Sequence, residues 1–468
     1  MILFGDSASF DWGVEIRNAL LIATGFVTLL LLAELWHRLR NPPVEWTRKL
    51  VHFGGGAICL FLPLLLQSHW TVLVLAVGMT LLFVISKRLG WLPSVHGIDR
   101  PSHGTEFYPL VIYLLFLLAA DQYWQYVVCV LVLAVADSAA ALIGTRYGRL
   151  RFSVEKATKS VEGSLAFFVV TFLVVMIPLS IWQPLADTPH EWTHYFLASS
   201  LIGLLVTCME IIALHGTDNL WVPLGTLLVL TKTFQTDVND LWIQNLSFIA
   251  MLCGLLAVAR LSRLLNVGGA LVCCLAVYGL WAMGSLDWAL VFFIAIGSYL
   301  LVAWWYDTPW QIRVRAAAYS LIPPVLFLAA ANVCLNLGYP AIYRGLFGPF
   351  VATSCIALGQ AIANLAAFEF RDDLPRRMLS GALAAIVVAG SVTTISMLWQ
   401  NVWDWTALAM IIGTTCLLVV CSMRWFSPTP PGDAARSWLR LRAVVSLAGG
   451  LMILLLQQFG WCQNWNPV

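Results

Sequence analysis

DSAAALIGTRYGRLRFSVEKATKSVEGS, residues 137–164, decides how the rest of the chain is read. An aspartate stands inside an apolar run. Small residues follow it, then a basic stretch, and Lys-Ser-x-Glu-Gly-Ser opens the next apolar run. A carboxylate within a membrane span costs about 2.5–3.5 kcal/mol on insertion scales, which makes Asp137 a functional candidate by default. Asp137, Ala141 and Gly144 share a helix face, and Gly148 lies beyond it. A face of small residues beneath a carboxylate leaves room for a ligand. The competing use of the same residues is close helix packing, with the aspartate satisfied by a neighbouring hydroxyl.

Working outward, the chain of 468 residues is 60% hydrophobic and 11% charged, against about 25% charged in soluble domains. Apolar runs of about 20 residues broken by short polar loops predict an all-α polytopic membrane protein with about 16 transmembrane helices. Many of the 22 Trp lie near span ends, where interfacial anchors belong. Met1 to Asp11 is acidic, and the first apolar run is long enough to span, so no cleavable signal peptide is expected. The 11 Cys show no CxxC spacing and read as small hydrophobes. The 8 His are too dispersed for a zinc site, and a net charge of +2 gives no reason to expect a nucleic-acid partner.

Loop charge predicts orientation. With the N-terminus outside, loops 38–49, 87–106, 144–161, 214–219, 260–265, 306–315, 368–377 and 424–440 face the cytoplasm. Of the 26 Lys and Arg, all but Arg17, Lys232 and Arg344 fall there, with Arg442 counted at the start of its span. That asymmetry follows the positive-inside rule. It also places the polar stretches on one face: Arg48, Lys49 and His52; His103, Gly104 and Glu106; Asp137; Lys156 to Ser164; Glu210, Asp218 and Asn219. Residues 1–260 hold all of them and are expected to form one membrane domain, with 261–468 a second. The expected location is a prokaryotic plasma membrane or an equivalent internal membrane.

Loop 144–161 carries Arg146, Arg149, Arg151, Lys156 and Lys159 against Glu155 alone. Ser160 is positioned to cap the helix that follows. The free N–H groups and positive dipole end of that helix predict a phosphate site. Gly163 would let a ligand approach the backbone. Lys159 offers a point charge. Asp137, Glu162 or Asp218 would serve Mg²⁺, which typically uses one or two carboxylates plus phosphate oxygens. Glu210 and Asp218 add hard oxygen ligands. His52 shares a helix face with Arg48, and His103 and Glu106 are candidate acid, base or ligand.

RKLVHFGGG (48–56), HGTEFYPL (103–110), ADSAAALIGTRYG (136–148), KATKSVEGSLAFF (156–168) and TDNLWVPL (217–224) together resemble the CTP-dependent polyprenol kinase family. Dolichol, phytol and farnesol kinases are among its members. The resemblance covers residues ~45 to ~230. It implies phosphoryl transfer from CTP, with Mg²⁺, to a membrane lipid alcohol on the cytoplasmic side. It implies catalytic roles for Arg48, Lys49, Asp137, Lys159 and Glu162, and phosphate binding by Gly144, Lys156, Ser160, Gly163 and Ser164. Asp137 and Asp218 would be the metal ligands, supported by His52, His103, Glu106, Glu210 and Asn219. The HGTEFYP and DNLxVPL forms look closer to phytol kinases than to dolichol kinases. Residues 268–284 and 363–370 resemble the phytyl-phosphate kinase-like membrane proteins. Asn364 stands where those proteins have Asp, so a degenerate second module is expected. A CDP-lipid-forming cytidylyltransferase and a polytopic transporter stay open as alternatives, and the oligomeric state is unknown.

Overall fold

Helix α1 (Trp12–Arg40) begins where Asp11 caps it, its carboxylate accepting from the N–H groups of Gly13 and Val14 at 2.8 and 3.3 Å. Two carboxylates inside α1 are buried. Glu15 accepts from the N–H groups of Gln67 and Ser68, both at 3.1 Å, and fixes the start of α4 (His69–Arg88). Glu34 accepts from Arg38 at 2.7 Å and from the Ser94 N–H at 3.4 Å. Both acids thus organise structure within the first apolar run.

The computed structural model describes residues 11–97, 103–155, 157–182, 190–261, 265–305, 314–368, 373–400, 404–425 and 436–459. The chain is an all-α polytopic membrane protein. Among the described residues, 12 helices are long and apolar enough to cross a membrane, and Gly104–Ala119, Val267–Met283 and Leu286–Val302 are shorter apolar helices. A helix stands at each expected span, but α11 (Asp218–Thr233), with 16 residues, falls in neither group. The chain divides into two compact units, Met1–Ser247 and Phe248–Val468, with the division inside α12 (Val238–Leu261).

In the first unit, α2 (Val44–Cys59), α3 (Leu62–Leu65), α4, α5 (Pro93–His96) and α6 (Gly104–Ala119) follow α1. The apolar run expected to form one span over 124–143 is one continuous helical span, Tyr123–Tyr147, made of α7 (Tyr123–Leu131) and α8 (Asp137–Tyr147). A π-helical turn, Val132–Ala136, joins them. Such a turn slips the backbone ladder and frees carbonyls. Here side chains take them: His52 Nε2 lies 2.8 Å from the Leu133 carbonyl, and Ser138 Oγ donates to the Ala134 carbonyl at 2.7 Å.

Helix α2 lies directly on this turn, and only glycine permits the contact. A Cβ at residue 56 would overlap the Ala134 Cβ. Lys49 and His52 are carried by the same helix, so this contact sets their distance from Asp137. Overpacking typically costs about 1–3 kcal/mol, so Gly56→Val is expected to lower stability by that amount in a detergent melt. It should also impair turnover by drawing α2 away.

The stretch expected to be a basic loop holds a hairpin of β1 (Arg151–Val154) and β2 (Ala157–Ser160), antiparallel, with Phe152 opposite Lys159. Glu155 occupies the left-handed region at its turn (φ 53°), and Val154 is fully buried beneath it. Lys156 lies outside the described residues. Helices α9 (Val161–Trp182), α10 (Trp192–Ile212) and α11 follow.

The second unit contains α13 (Val267–Met283), α14 (Leu286–Trp305), α15 (Val314–Asn336), α16 (Pro340–Gly345), α17 (Phe347–Phe368), α18 (Leu374–Gln400), α19 (Trp405–Trp425) and α20 (Arg436–Gln458). Helix α17 is its centre: 94% of the most apolar stretch within Pro340–Asn364 is buried. Trp288, Phe347 and Phe350 form an aromatic cluster beside it. Asn364 is buried on α17.

Candidate active site

Asp137 is the first residue of α8, immediately after the π-turn. Its Oδ2 lies 2.5 Å from Lys49 Nζ and 3.3 Å from His52 Nε2. The Lys49 and Asp137 side chains are 9% and 14% exposed, so water screens the pair weakly. Asp137 Oδ1 has no hydrogen-bond partner among the described residues. The Tyr108 ring meets that of His52 edge-on at 4.9 Å, and its hydroxyl donates to the His52 carbonyl at 3.2 Å. Arg48, one residue before Lys49, has its nearest carboxylate in Glu45 at 3.7 Å, and its enclosed Nη1 makes no hydrogen bond.

The hairpin carries Lys159 to α10. Its Nζ lies 2.5 Å from Glu210 Oε1 and 3.2 Å from the Glu210 carbonyl. After α10 the chain reverses through His215 (φ 57°) and Gly216 (φ 84°), which brings Asp218 to the start of α11. Burial pulls the Lys159 pKa down, but the carboxylates of Glu210, Asp218 and Asp137 outweigh it and hold the pKa above the ordinary lysine value. Lys159 is therefore charged throughout the neutral range. The contribution from Lys159's own titration is present below the unfolded lysine pKa of about 10.4 and is lost as pH rises through the raised folded value. The Asp218 side chain makes no hydrogen bond or ion pair among the described residues, though its charge acts on Lys159.

The Lys-Ser-x-Glu-Gly-Ser end of the hairpin differs from expectation. Ser160 does cap α9, its Oγ accepting from the Gly163 N–H at 3.1 Å. The Val161 N–H goes to the Leu150 carbonyl at 2.9 Å. Two N–H groups expected to await a phosphate are thus taken by the chain itself. Gly163 does not open space for a ligand either. A Cβ there would lie 3.1 Å from the Gly144 Cα and 2.9 Å from Ser160 Oγ, so the two glycines let α8 and α9 touch. Ser164 follows on the first turn of α9.

Glu162 was expected beside the metal. Instead its carboxylate accepts from the N–H groups of Arg149 and Leu150, each at 3.0 Å, and closes the link from α8 to β1. Glu162→Gln is expected to cost less than about tenfold in activity, below the usual yield of a proton-transfer group. It should also speed tryptic cleavage at Arg149 or Arg151. A loss of a thousandfold with unchanged cleavage would contradict the bracing role.

His103 and Glu106 form a separate cluster. His103 Nδ1 lies 2.6 Å from Glu106 Oε2, and Lys87 Nζ lies 2.9 Å from Glu106 Oε1. The His103 side chain is 58% exposed. The His103 N–H donates to the His215 carbonyl at 2.8 Å, and Asn219 Nδ2 donates to the Gly104 carbonyl at 2.7 Å. These bonds tie the start of α6 to the α10–α11 turn.

Beside Lys49 a cavity of about 230 Å³ opens among α1, α2, α4 and α6. Arg48, Lys49, His52, Thr105 and Asn219 are its polar and basic lining; nearly all the rest is apolar, and no carboxylate lines it. The sequence reading missed Thr105 and Tyr108 as lining residues. The available signal was a hydroxyl on the same turns as His103 and Glu106.

Among the described residues no three His, Cys, Asp or Glu side chains gather as a self-sufficient metal site. A Mg²⁺ ion needs fewer, since it keeps waters and takes phosphate oxygens. Asp137 Oδ1 and the Asp218 carboxylate would be the oxygens available to such an ion.

The chain is 35% identical over 213 residues to a phytol kinase of Synechocystis sp., an overlap of 45% of this chain and 88% of that protein. It is 28% identical over 133 residues to "Probable phytol kinase 1, chloroplastic" of Glycine max, covering 27% of this chain and 44% of the relative. With "Probable phytol kinase, chloroplastic" of Triticum aestivum it shares 32% identity over 105 residues, 22% of this chain and 35% of the relative. No protein-family model and no solved structure matches.

Proposed function

Because the chain belongs to the phytol kinase family, we propose that it transfers a phosphoryl group from a nucleoside triphosphate, CTP by its motifs, to phytol or a similar isoprenoid alcohol. The observation that carries this reading is the Lys49–Asp137–His52 cluster at the polar end of an apolar cavity. Charged transfer machinery and a lipid slot meet there. The loop charges favour the cytoplasmic side for this meeting point.

Phosphoryl transfer asks a protein mainly for positioning and for charge stabilisation. Lys159 and Lys49 supply fixed positive charge, and Arg48 has an unbonded N–H to offer a phosphate oxygen. Asp137 and Asp218 would hold Mg²⁺, which neutralises phosphate charge when bound. His52 is the group placed to take the alcohol's proton. Its Nε2 faces the Leu133 carbonyl, so that nitrogen carries the hydrogen and the Nδ1 lone pair is left free. Asp137 beside Nε2 then stabilises the imidazolium that forms.

The test is purified protein with phytol, farnesol or a polyprenol and CTP labelled in its γ-phosphate. Labelled lipid and CDP are expected. Pyrophosphate release would indicate a cytidylyltransferase. Nucleotide binding with no labelling of any alcohol would end the kinase reading.

A further inference from the structure

Resting on the reading of the chain as an isoprenoid-alcohol kinase, we infer that the α1–α2–α4–α6 cavity is a gauge for the alcohol's tail, reached sideways from the bilayer across α4, with Gly78 deciding which tails fit. The cavity's size selects against other occupants. About 230 Å³ is below the roughly 300–1,000 Å³ of common small-molecule pockets, so a slim chain suits it better than a nucleotide. Its polarity runs in one direction. Lys49 and His52 stand at one end, and Cys59, Leu62 and Val72, all nearly fully buried, close the other. Along α2 from Arg48 to Cys59, and along α4 from Phe83 to Val72, the lining extends about 16 Å at 1.5 Å per residue. That is comparable with an extended farnesyl chain. A mouth of basic and neutral polar groups without a carboxylate accepts a hydroxyl, and the phosphate it becomes, without repulsion.

The α4 wall is incomplete. Val74 lines the cavity yet is 70% exposed. Gly78 also lines it, and nothing lies within 4 Å of a Cβ built there. Helix α4 is only 17% buried over its most apolar stretch, so its outer face meets lipid. A membrane alcohol therefore reaches the slot without leaving the bilayer. A Cβ at residue 78 meets no protein atom within 4 Å, and replacing glycine within a helix removes a propensity cost. Gly78→Phe is thus expected to fold, which a detergent melt checks, while its ring narrows the slot.

The experiment compares wild type and Gly78→Phe for kcat/KM with geraniol, farnesol and phytol, and maps photolabelling of the wild type by a diazirine-bearing isoprenol. Steric discrimination in apolar pockets spans about 10–200-fold. The variant is expected to lose at least about tenfold with phytol and several-fold less with geraniol, and the label is expected on α1 and α4 peptides. Equal losses for all three alcohols, or no loss for any, overturn the gauge. Phosphorylation with labelling confined to other helices overturns the tail site and leaves the kinase reading standing. Labelling of α1 and α4 without phosphorylation of any alcohol supports the tail site and overturns the kinase reading.

Discussion

Asp137→Asn is expected to lower turnover about a thousandfold, the scale of losing a preorganised electrostatic group, with far less change in KM for the alcohol. The substitution keeps shape and hydrogen-bonding reach but removes the charge that Lys49 and His52 face. Three functions fail together. On the proposed assignment the oxygen that would hold Mg²⁺ goes, the imidazolium that would form on His52 loses its counter-charge, and Lys49 loses the negative charge it faces. The competing reading of Asp137 as a packing residue predicts something else, because an isosteric amide would still accept from Lys49. Steady-state assay of the detergent-solubilised variant separates the two. Turnover within tenfold of wild type would sink the assignment of Asp137 to the transfer site. A melt of the same sample checks that the fold survives.

Asp137 was legible because a carboxylate in an apolar run advertises its cost. The same rule, applied evenly, would have flagged Glu15 and Glu34 in the first span. Both are buried, and both fasten neighbouring backbone. A buried carboxylate therefore shows that a partner exists, and only the fold says which. The partner of Asp137 was half visible, since Lys49 and His52 sit three residues apart and share a helix face. What brings them to Asp137 was not visible. A π-turn leaves no mark on hydrophobic periodicity, and the overlap avoided at Gly56 depends on a residue 78 positions away, Ala134.

The hairpin was hidden for a different reason. Strands of four residues, Arg151–Val154 and Ala157–Ser160, are too short for an alternation to stand out. Basic side chains on both made the stretch read as a topogenic loop. The bracing contacts of Glu162 are not legible because its partners are backbone N–H groups, which every sequence contains. Ser160 caps α9 as its sequence position predicts, and capping takes the Gly163 N–H that a phosphate would need. Motif residues thus divide between chemistry and local bracing, and the division follows hydrogen-bond geometry more than residue type.

The Lys159–Glu210 pair allows that division to be measured. With side chains 22% and 9% exposed, it is a largely buried ion pair, and removing one partner of such a pair costs about 3–5 kcal/mol. Lys159→Met alone and Glu210→Gln alone are each expected to destabilise the protein strongly, since each leaves one charge buried without its complement. The double variant removes both charges and is expected to melt near the wild type, because neutral replacement of a buried pair is often without net cost. Activity should part company with stability at this point. If Lys159 neutralises a transferring phosphate, the double variant stays about a hundredfold or more below wild type although it is as stable. If the pair only fastens the hairpin to α10, turnover recovers together with the melting temperature. Measuring both quantities on all three variants distinguishes the outcomes. Thermodynamic coupling between Lys159 and Glu210 is expected in the melts, and persistent loss of turnover in the double variant is expected in the assay.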